Sequence, residues 1–259
     1  MGVYSSHANV TATGSLNTRL EINQKYGAFD FHQWVISRLA FRPGADVLDV
    51  GCGTGVQALR ALEAVGESGS VSATDLSAGS VDTLKKNAAN YRNLDTLVGD
   101  MKDLAGMIAE KFRVKRYDLA YSVYALWYST DHFGVLDAMR NSLKPGGRLV
   151  VCTPNAPNGL RETIKRLGQP RPELDQATNF GPNVLEPYFR AYFDSIVIHL
   201  RRNAMHITDV EDVLRFYRST GYYDAQLEPR LKKHAELEIE LNGYFLFEKN
   251  NYLIEGIRE

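Results

Sequence analysis

The sequence predicts an α/β fold, a doubly wound and mostly parallel seven-stranded sheet with a helical cap before it and an insertion after the fifth strand. Three observations carry this expectation. Short apolar runs alternate with stretches of helical spacing from Ala45 to Thr153, the pattern of a parallel sheet covered by helices on both faces. The run 47–50 passes directly into a glycine-rich turn that opens a helix. Asp49, Asp75 and Asp100 stand at or beside the ends of the first three strands, at the edge where open α/β sheets bind ligands.

The elements follow in order. Residues 1–25 are polar and irregular, with several Ser, Thr and Asn, and read as mobile alone and ordered only against something else. Apolar residues at helical spacing start near Asp30 and end at Pro43-Gly44. Strands are expected over 47–50, 71–75, 96–98, 117–123 and 148–153, and helices over 56–65, 81–89, 104–112 and 133–143. Asp131 can cap the last of these helices. Pro145-Gly146-Gly147 reads as a turn, and 155–181, rich in Pro and Gly, as an insertion with one short helix over 160–167. A strand over 195–200 and helices over 210–217 and 231–241 come next, although 235–241 also alternates as a strand would. The end reads as a hairpin, 244–248 and 252–257 about a turn at Asn250-Asn251. By domains, 1–40 is expected to form an N-terminal cap or lid, and 41–259 the main domain with a cap insertion at 155–192.

Composition narrows the function. The 259 residues carry a net charge of −1 and a pI near 6.6, so no basic excess is available to neutralise nucleic-acid phosphates. Hydrophobic residues make up 44% and charged residues 24%, as in ordinary globular chains. Two cysteines, Cys52 and Cys152, make no disulfide framework. No apolar run approaches the roughly 18 residues that a membrane span requires, and the N-terminus lacks the apolar segment of a signal peptide. A cytoplasmic protein, monomer or homodimer, without nucleic-acid or membrane partner is expected. Asn9-Val10-Thr11 matches a glycosylation acceptor and reads as chance. No His/Cys/Asp cluster has metal-ligand spacing.

The strongest local signal is VLDVGCGTG, Val47 to Gly55. Its spacing is G-x-G-x-G; the dinucleotide turn asks for a further Gly or Ala where Val56 stands. Asp75 can accept from two ribose hydroxyls, and Asp100 from an adenine amino group. Together with SATDLS, VGDM, YDLAYSVYALWY and LKPGGRLVV, this series resembles the class I S-adenosylmethionine (SAM)-dependent methyltransferase superfamily, clearly over 47–154. LNTRLEINQKYGAFDFHQWV resembles the N-terminal caps of small-molecule members.

The resemblance implies a Rossmann-like fold, SAM as methyl donor, S-adenosylhomocysteine as product and O- or N-methylation of a small molecule. It implies that Gly51, Cys52, Gly53 and Gly55 face the methionine part of SAM, with Asp49 near its amino group. Asp75 and Leu76 would hold the ribose, Asp100 and Met101 flank the adenine, and Ser122, Val123 and Tyr124 close the pocket. Tyr26 of the cap is expected to touch SAM or substrate, with 1–33 folding over both as a lid. Trp127 and Tyr128 are expected at the substrate. Many relatives carry a His near the position of Trp127; this chain does not, so no base is carried over there, and the catalytic residue stays open, with His132, Tyr124 and His206 as candidates. A NAD-dependent oxidoreductase, a non-catalytic SAM-binding protein and a protein or RNA methyltransferase are the competing readings.

Overall fold

A computed structural model describes residues 13–168 and 172–259, with the side chains of 172–174 left aside. Asn9-Val10-Thr11, the start of the expected lid, and Pro170 of the insertion lie outside the described residues. The chain divides into two compact units. The first holds the described residues up to Phe31, Pro154–Phe180 and Leu200–Asn251; the second holds His32–Thr153, Gly181–His199 and Tyr252–Glu259.

The second unit begins with α2 (Phe31–Leu39) and alternates β1 (Asp46–Val50), α3 (Val56–Val65), β2 (Ser70–Asp75), α4 (Ala78–Asn87) and β3 (Leu94–Val98). β4 (Tyr117–Val123), α6 (His132–Asn141) and β5 (Leu143–Asn158) complete the alternation. β1 and β2 are almost wholly buried, because helices cover both faces of a parallel strand. Along α3 the buried residues Ala58, Ala61, Leu62 and Val65 recur at helical spacing. α4 is capped by Ser77, whose hydroxyl accepts from the Ser80 N–H, and α6 by Asp131, whose carboxylate accepts from the Gly134 N–H.

The expected helix over 104–112 is instead a mixed run. A 3₁₀ turn (Met101–Asp103) leads into the short α5 (Leu104–Gly106) and a π turn (Met107–Lys111). Pro145-Gly146-Gly147 does not end a strand. Tyr117 pairs with Leu143 and Leu119 with Arg148, so the four residues Lys144 to Gly147 stand opposite the single Asp118 as a bulge within β5. Gly146 adopts φ 75°, and the Arg258 backbone accepts from Gly146 N–H and donates to the Gly147 carbonyl within the bulge.

The expected insertion is mostly helical, with α7 (Gly159–Arg166), α8 (Pro172–Phe180), a π turn (Gly181–Leu185) and α9 (Glu186–Tyr192). β6 (Ser195–Arg201), β7 (Ala204–Ile207), α10 (Val210–Arg218), α11 (Glu228–Asn242) and β8 (Phe245–Ile257) follow. The sheet order is β3-β2-β1-β4-β5-β8-β6, seven strands along the path, with β7 antiparallel to β8 beside it. The β1, β2, β3, β4 and β5 pairings are parallel. This is the Rossmann-like, mostly parallel sheet that the pattern predicts.

Two expectations are corrected in the first unit. Thr13–Tyr26, expected to be irregular, forms a helix, α1. Its one buried residue, Ile22, joins a core with Met205, Ile207, Leu214, Tyr217 and Phe245. Its polar face is held by charge: Lys25 and Tyr26 bond Asp212 at 2.7 and 2.9 Å, and Glu21 pairs with Arg215 at 2.8 Å. These residues are therefore packed rather than loose.

The expected terminal hairpin is also absent, and β8 runs unbroken through Asn250-Asn251. Both asparagines are buried and satisfy backbone groups. Asn250 accepts from the Asn203 N–H and donates to the Pro157 carbonyl, and Asn251 donates to the Arg201 and Lys249 carbonyls.

The packing of α1 is open to test. Ile22→Ala should lower the unfolding free energy by about 2–5 kcal/mol in urea titration, as for other buried aliphatics. A loss below about 0.5 kcal/mol, the size of an ordinary surface substitution, would return the segment to the mobile-tail reading.

Candidate functional site

The site is built in the second unit at the carboxyl ends of β1, β2, β3 and β4. Gly51, Gly53 and Gly55 adopt φ values of 80°, 53° and 89°, in the left-handed region that glycine enters without strain. The turn is pressed from one side: a Cβ on Gly51 would stand 2.2 Å from the Ala125 Cβ, and 3.8 Å from the Met101 Cε. The loops after β1, β3 and β4 therefore meet at Gly51. α3 opens directly behind Gly55 without a side-chain cap, leaving its first N–H groups available.

The end of β2 ties the loops together. The Thr74 carbonyl accepts from Gly51 and Cys52 N–H at 2.8 and 3.0 Å, and the Asp75 carbonyl accepts from Gly99 N–H at 3.0 Å. The Asp75 carboxylate accepts from Gly53 N–H at 2.8 Å and from Ser77 N–H at 2.9 Å. Asp75 is half-buried and Leu76 beside it is 53% exposed. Asp100 accepts from Lys102 N–H and pairs with the Lys102 ammonium at 3.3 Å; Met101 is half-buried.

Asp49 is only 2% exposed. The Tyr121 hydroxyl donates to its Oδ2 at 2.8 Å. Burial pushes the Asp49 carboxyl up to about 7, against the bond from Tyr121, with the nearby Asp75 charge adding to the rise. Cys52 is buried, and burial pushes its thiol well above the ordinary range, so it is not a poised thiolate. Tyr121 is the residue that the sequence reading missed. Nothing in the sequence of β4, YDLAYSV, sets Tyr121 apart from Tyr117 or Ser122, and its partner follows only from the Asp49–Tyr121 register.

After β4 the chain bends sharply. Tyr124 adopts φ 58°, rare for a bulky residue, and its N–H donates to the Cys152 carbonyl at 2.8 Å. Such a conformation costs roughly 1–3 kcal/mol and persists only where the surroundings enforce it. Ser122 is fully buried, and its Oγ has no hydrogen-bond partner among the described residues. Val123 is half-buried. The Tyr124 ring meets Trp127 edge-on at 5.4 Å, and Trp127 lies 4.9 Å from Tyr128. His132, at the start of α6, is half-buried, and burial lowers its pKa.

Two expected site residues belong to the first unit and have partners there. Tyr26 bonds Asp212, and His206 on β7 stacks on Tyr244 at 4.0 Å. Among the described residues no group of three or more His, Cys, Asp and Glu could hold a metal ion, and no helix is long and apolar enough to cross a membrane.

Residues 47–147 match a family model described as a methyltransferase domain. This match agrees with the resemblance to class I SAM-dependent methyltransferases that the glycine turn and its acids carry. Among curated relatives, the demethylmenaquinone methyltransferase of Staphylococcus epidermidis is 31% identical over 141 residues, covering 51% of this chain and 56% of that protein. The enzyme of the same name from Lysinibacillus sphaericus is 32% identical over 117 residues, covering 45% and 47%. The chain thus spans about half the length of the curated relatives it matches.

Solved structures agree on the fold of the methyltransferase domain and its surroundings. The YcgJ protein of Bacillus subtilis superposes with a TM-score of 0.58 at 18% identity, over 88% of this chain and 97% of that one. Phosphoethanolamine N-methyltransferase 2 of Haemonchus contortus, in complex with S-adenosyl-L-methionine, gives 0.59 at 14% identity, over 96% and 58%.

The close approach at Gly51 is testable in the methyltransferase domain. Gly51→Ala should cost about 1–3 kcal/mol of stability. It should cost more than Gly146→Ala, where φ is also positive, at 75°, but the space is open. Equal losses in matched urea melts would mean that Ala125 yields freely.

Proposed function

We propose that this chain is a SAM-dependent methyltransferase that acts on a small-molecule acceptor. The observation that carries the reading is the left-handed glycine turn flanked by Asp49 and Asp75 at the ends of adjacent parallel strands. The residues fit SAM. The bare backbone of Gly51 to Gly55 and the uncapped start of α3 suit its amino-acid end, with Cys52 as small filler in the turn. Asp49 offers an acceptor to its amino group, and Asp75, beside the exposed Leu76, offers acceptors to ribose hydroxyls. Asp100 and Met101 would flank the adenine, and the buried Ser122 Oγ and strained Tyr124 would close the pocket after β4.

Bound there, SAM would supply a methyl group made electrophilic by its sulfonium. The chain's own task is then to align the acceptor and keep water out, which can provide much of the rate. Tyr124, Trp127 and Tyr128 form an edge-on and tilted aromatic cluster suited to an apolar or planar acceptor. The name shared by the curated relatives, demethylmenaquinone methyltransferase, also points to a small acceptor. A general base is required only where the acceptor atom carries a proton of high pKa, as an alcohol does.

Calorimetry should show binding of SAM and S-adenosylhomocysteine and none of NAD; the reverse would sink the reading. Asp75→Ala should weaken SAM binding by about 1.5–3 kcal/mol, the range for a hydrogen bond to a charged group. With methyl-labelled SAM and a metabolite extract, label is expected in a small extractable product. Label found only in protein or RNA would replace the acceptor class.

A further inference from the structure

Asp49 and Tyr121 are direct partners in the parallel pairing of β1 and β4, so their side chains share one face of the sheet. Both are buried, at 2% and 0% exposure, and the Tyr121 ring lies 5.9 Å from Phe41. The tyrosine is therefore held by packing, and its hydroxyl reaches Oδ2 at 2.8 Å. The other carboxylate oxygen, Oδ1, accepts no hydrogen bond among the described residues. The groups that act on this carboxylate are Tyr121 from β4, Asp75 from β2 and Cys52 from the glycine turn. None of them is a cation, so a buried acid stands next to a second acid without a positive partner among the described residues.

We propose that Tyr121 is a positioning residue that holds Oδ2 of Asp49, aims Oδ1 at the ammonium of SAM's amino-acid end, and makes capture of that ammonium proton-linked. The inference rests on the reading of the glycine turn as the SAM site, and it adds a residue and a pH dependence that this reading does not contain.

The sign follows from the charges. Without ligand, the Asp49 carboxyl titrates near 7, because burial and Asp75 disfavour its anion. A ligand ammonium favours the anion, so binding lowers that pKa. Below about 7 the complex must release a proton to form, and affinity falls as pH falls, by up to about tenfold per unit. Above it the affinity levels off. The Tyr121 bond works in the same direction as the ammonium, since it favours the charged carboxylate. Its removal moves the bend in the affinity profile to higher pH.

The test is calorimetric titration of the full chain, wild type and Tyr121→Phe, between about pH 5.5 and 7.5, where an α-ammonium stays largely charged. Two probes are used: S-adenosylhomocysteine, and 5′-methylthioadenosine, which lacks the amino-acid end. For S-adenosylhomocysteine the wild type should weaken toward low pH, and Tyr121→Phe should bind about tenfold more weakly at pH 7 with its bend at higher pH, as the loss of a hydrogen bond to a charged group implies. Methylthioadenosine affinity should not change with pH or with the substitution. Asp49→Asn is the second variant, and should abolish the pH dependence for S-adenosylhomocysteine.

Failure of the wild type to bind S-adenosylhomocysteine overturns the site reading and this inference with it. Binding whose pH profile is the same in Tyr121→Phe overturns this inference alone. Equal weakening of both probes shows that Tyr121 only packs.

Discussion

The end of β2 is the constraint on which the rest of the site depends. Five backbone N–H groups converge on two residues there, Gly51 and Cys52 on the Thr74 carbonyl, Gly99 on the Asp75 carbonyl, and Gly53 and Ser77 on the Asp75 carboxylate. These bonds fix the turns that follow β1, β2 and β3 against one another. Backbone donors buried away from water need such partners, so the turns cannot shift independently without leaving one unmet. The glycines make this geometry accessible, since three left-handed residues within five positions would strain any other sequence. Asp75 therefore serves the fold and stands where the proposed ribose contact would form.

The sheet was legible where local pattern and tertiary role coincide. α3 over Val56–Val65 and β4 over Tyr117–Val123 match their expected bounds, because an amphipathic stripe and a buried apolar run announce themselves in sequence. α1 was not legible, because one buried isoleucine gives no periodicity, and its polar face is satisfied by Asp212 and Arg215, nearly two hundred residues away. The Asn250-Asn251 pair misled for a related reason. Asparagine favours turns by bonding nearby backbone, yet here it bonds backbone that is distant in sequence from inside a strand. The bulge at Lys144 to Gly147 shows the same limit, since a Pro-Gly-Gly run marks a local departure without saying whether pairing resumes.

In the site, the acids and glycines could be placed from spacing alone, since each follows a strand. Their partners could not. The approach of Ala125 to Gly51, the left-handed Tyr124 and the hydroxyl of Tyr121 on Asp49 all depend on the order and register of strands separated by some seventy residues. Spacing places Asp49 and Tyr26 as candidates, but it shows neither the burial of Asp49 beside a second acid nor the bond of Tyr26 to Asp212. Burial and charge environment are properties of the assembled sheet, and they decide whether a carboxyl is ionised.

In the proposed function, the glycine turn, Asp49 and Asp75 form one prearranged seat for the amino-acid and ribose parts of a single ligand. A crystal structure of the chain with S-adenosylhomocysteine tests this most directly. The ligand is expected across Gly51 to Gly55, with its ribose hydroxyls on the Asp75 carboxylate, its ammonium facing Oδ1 of Asp49, and the Tyr121 hydroxyl still on Oδ2. A ligand bound elsewhere, or seated there with its ammonium away from Asp49 and its ribose away from Asp75, would contradict it.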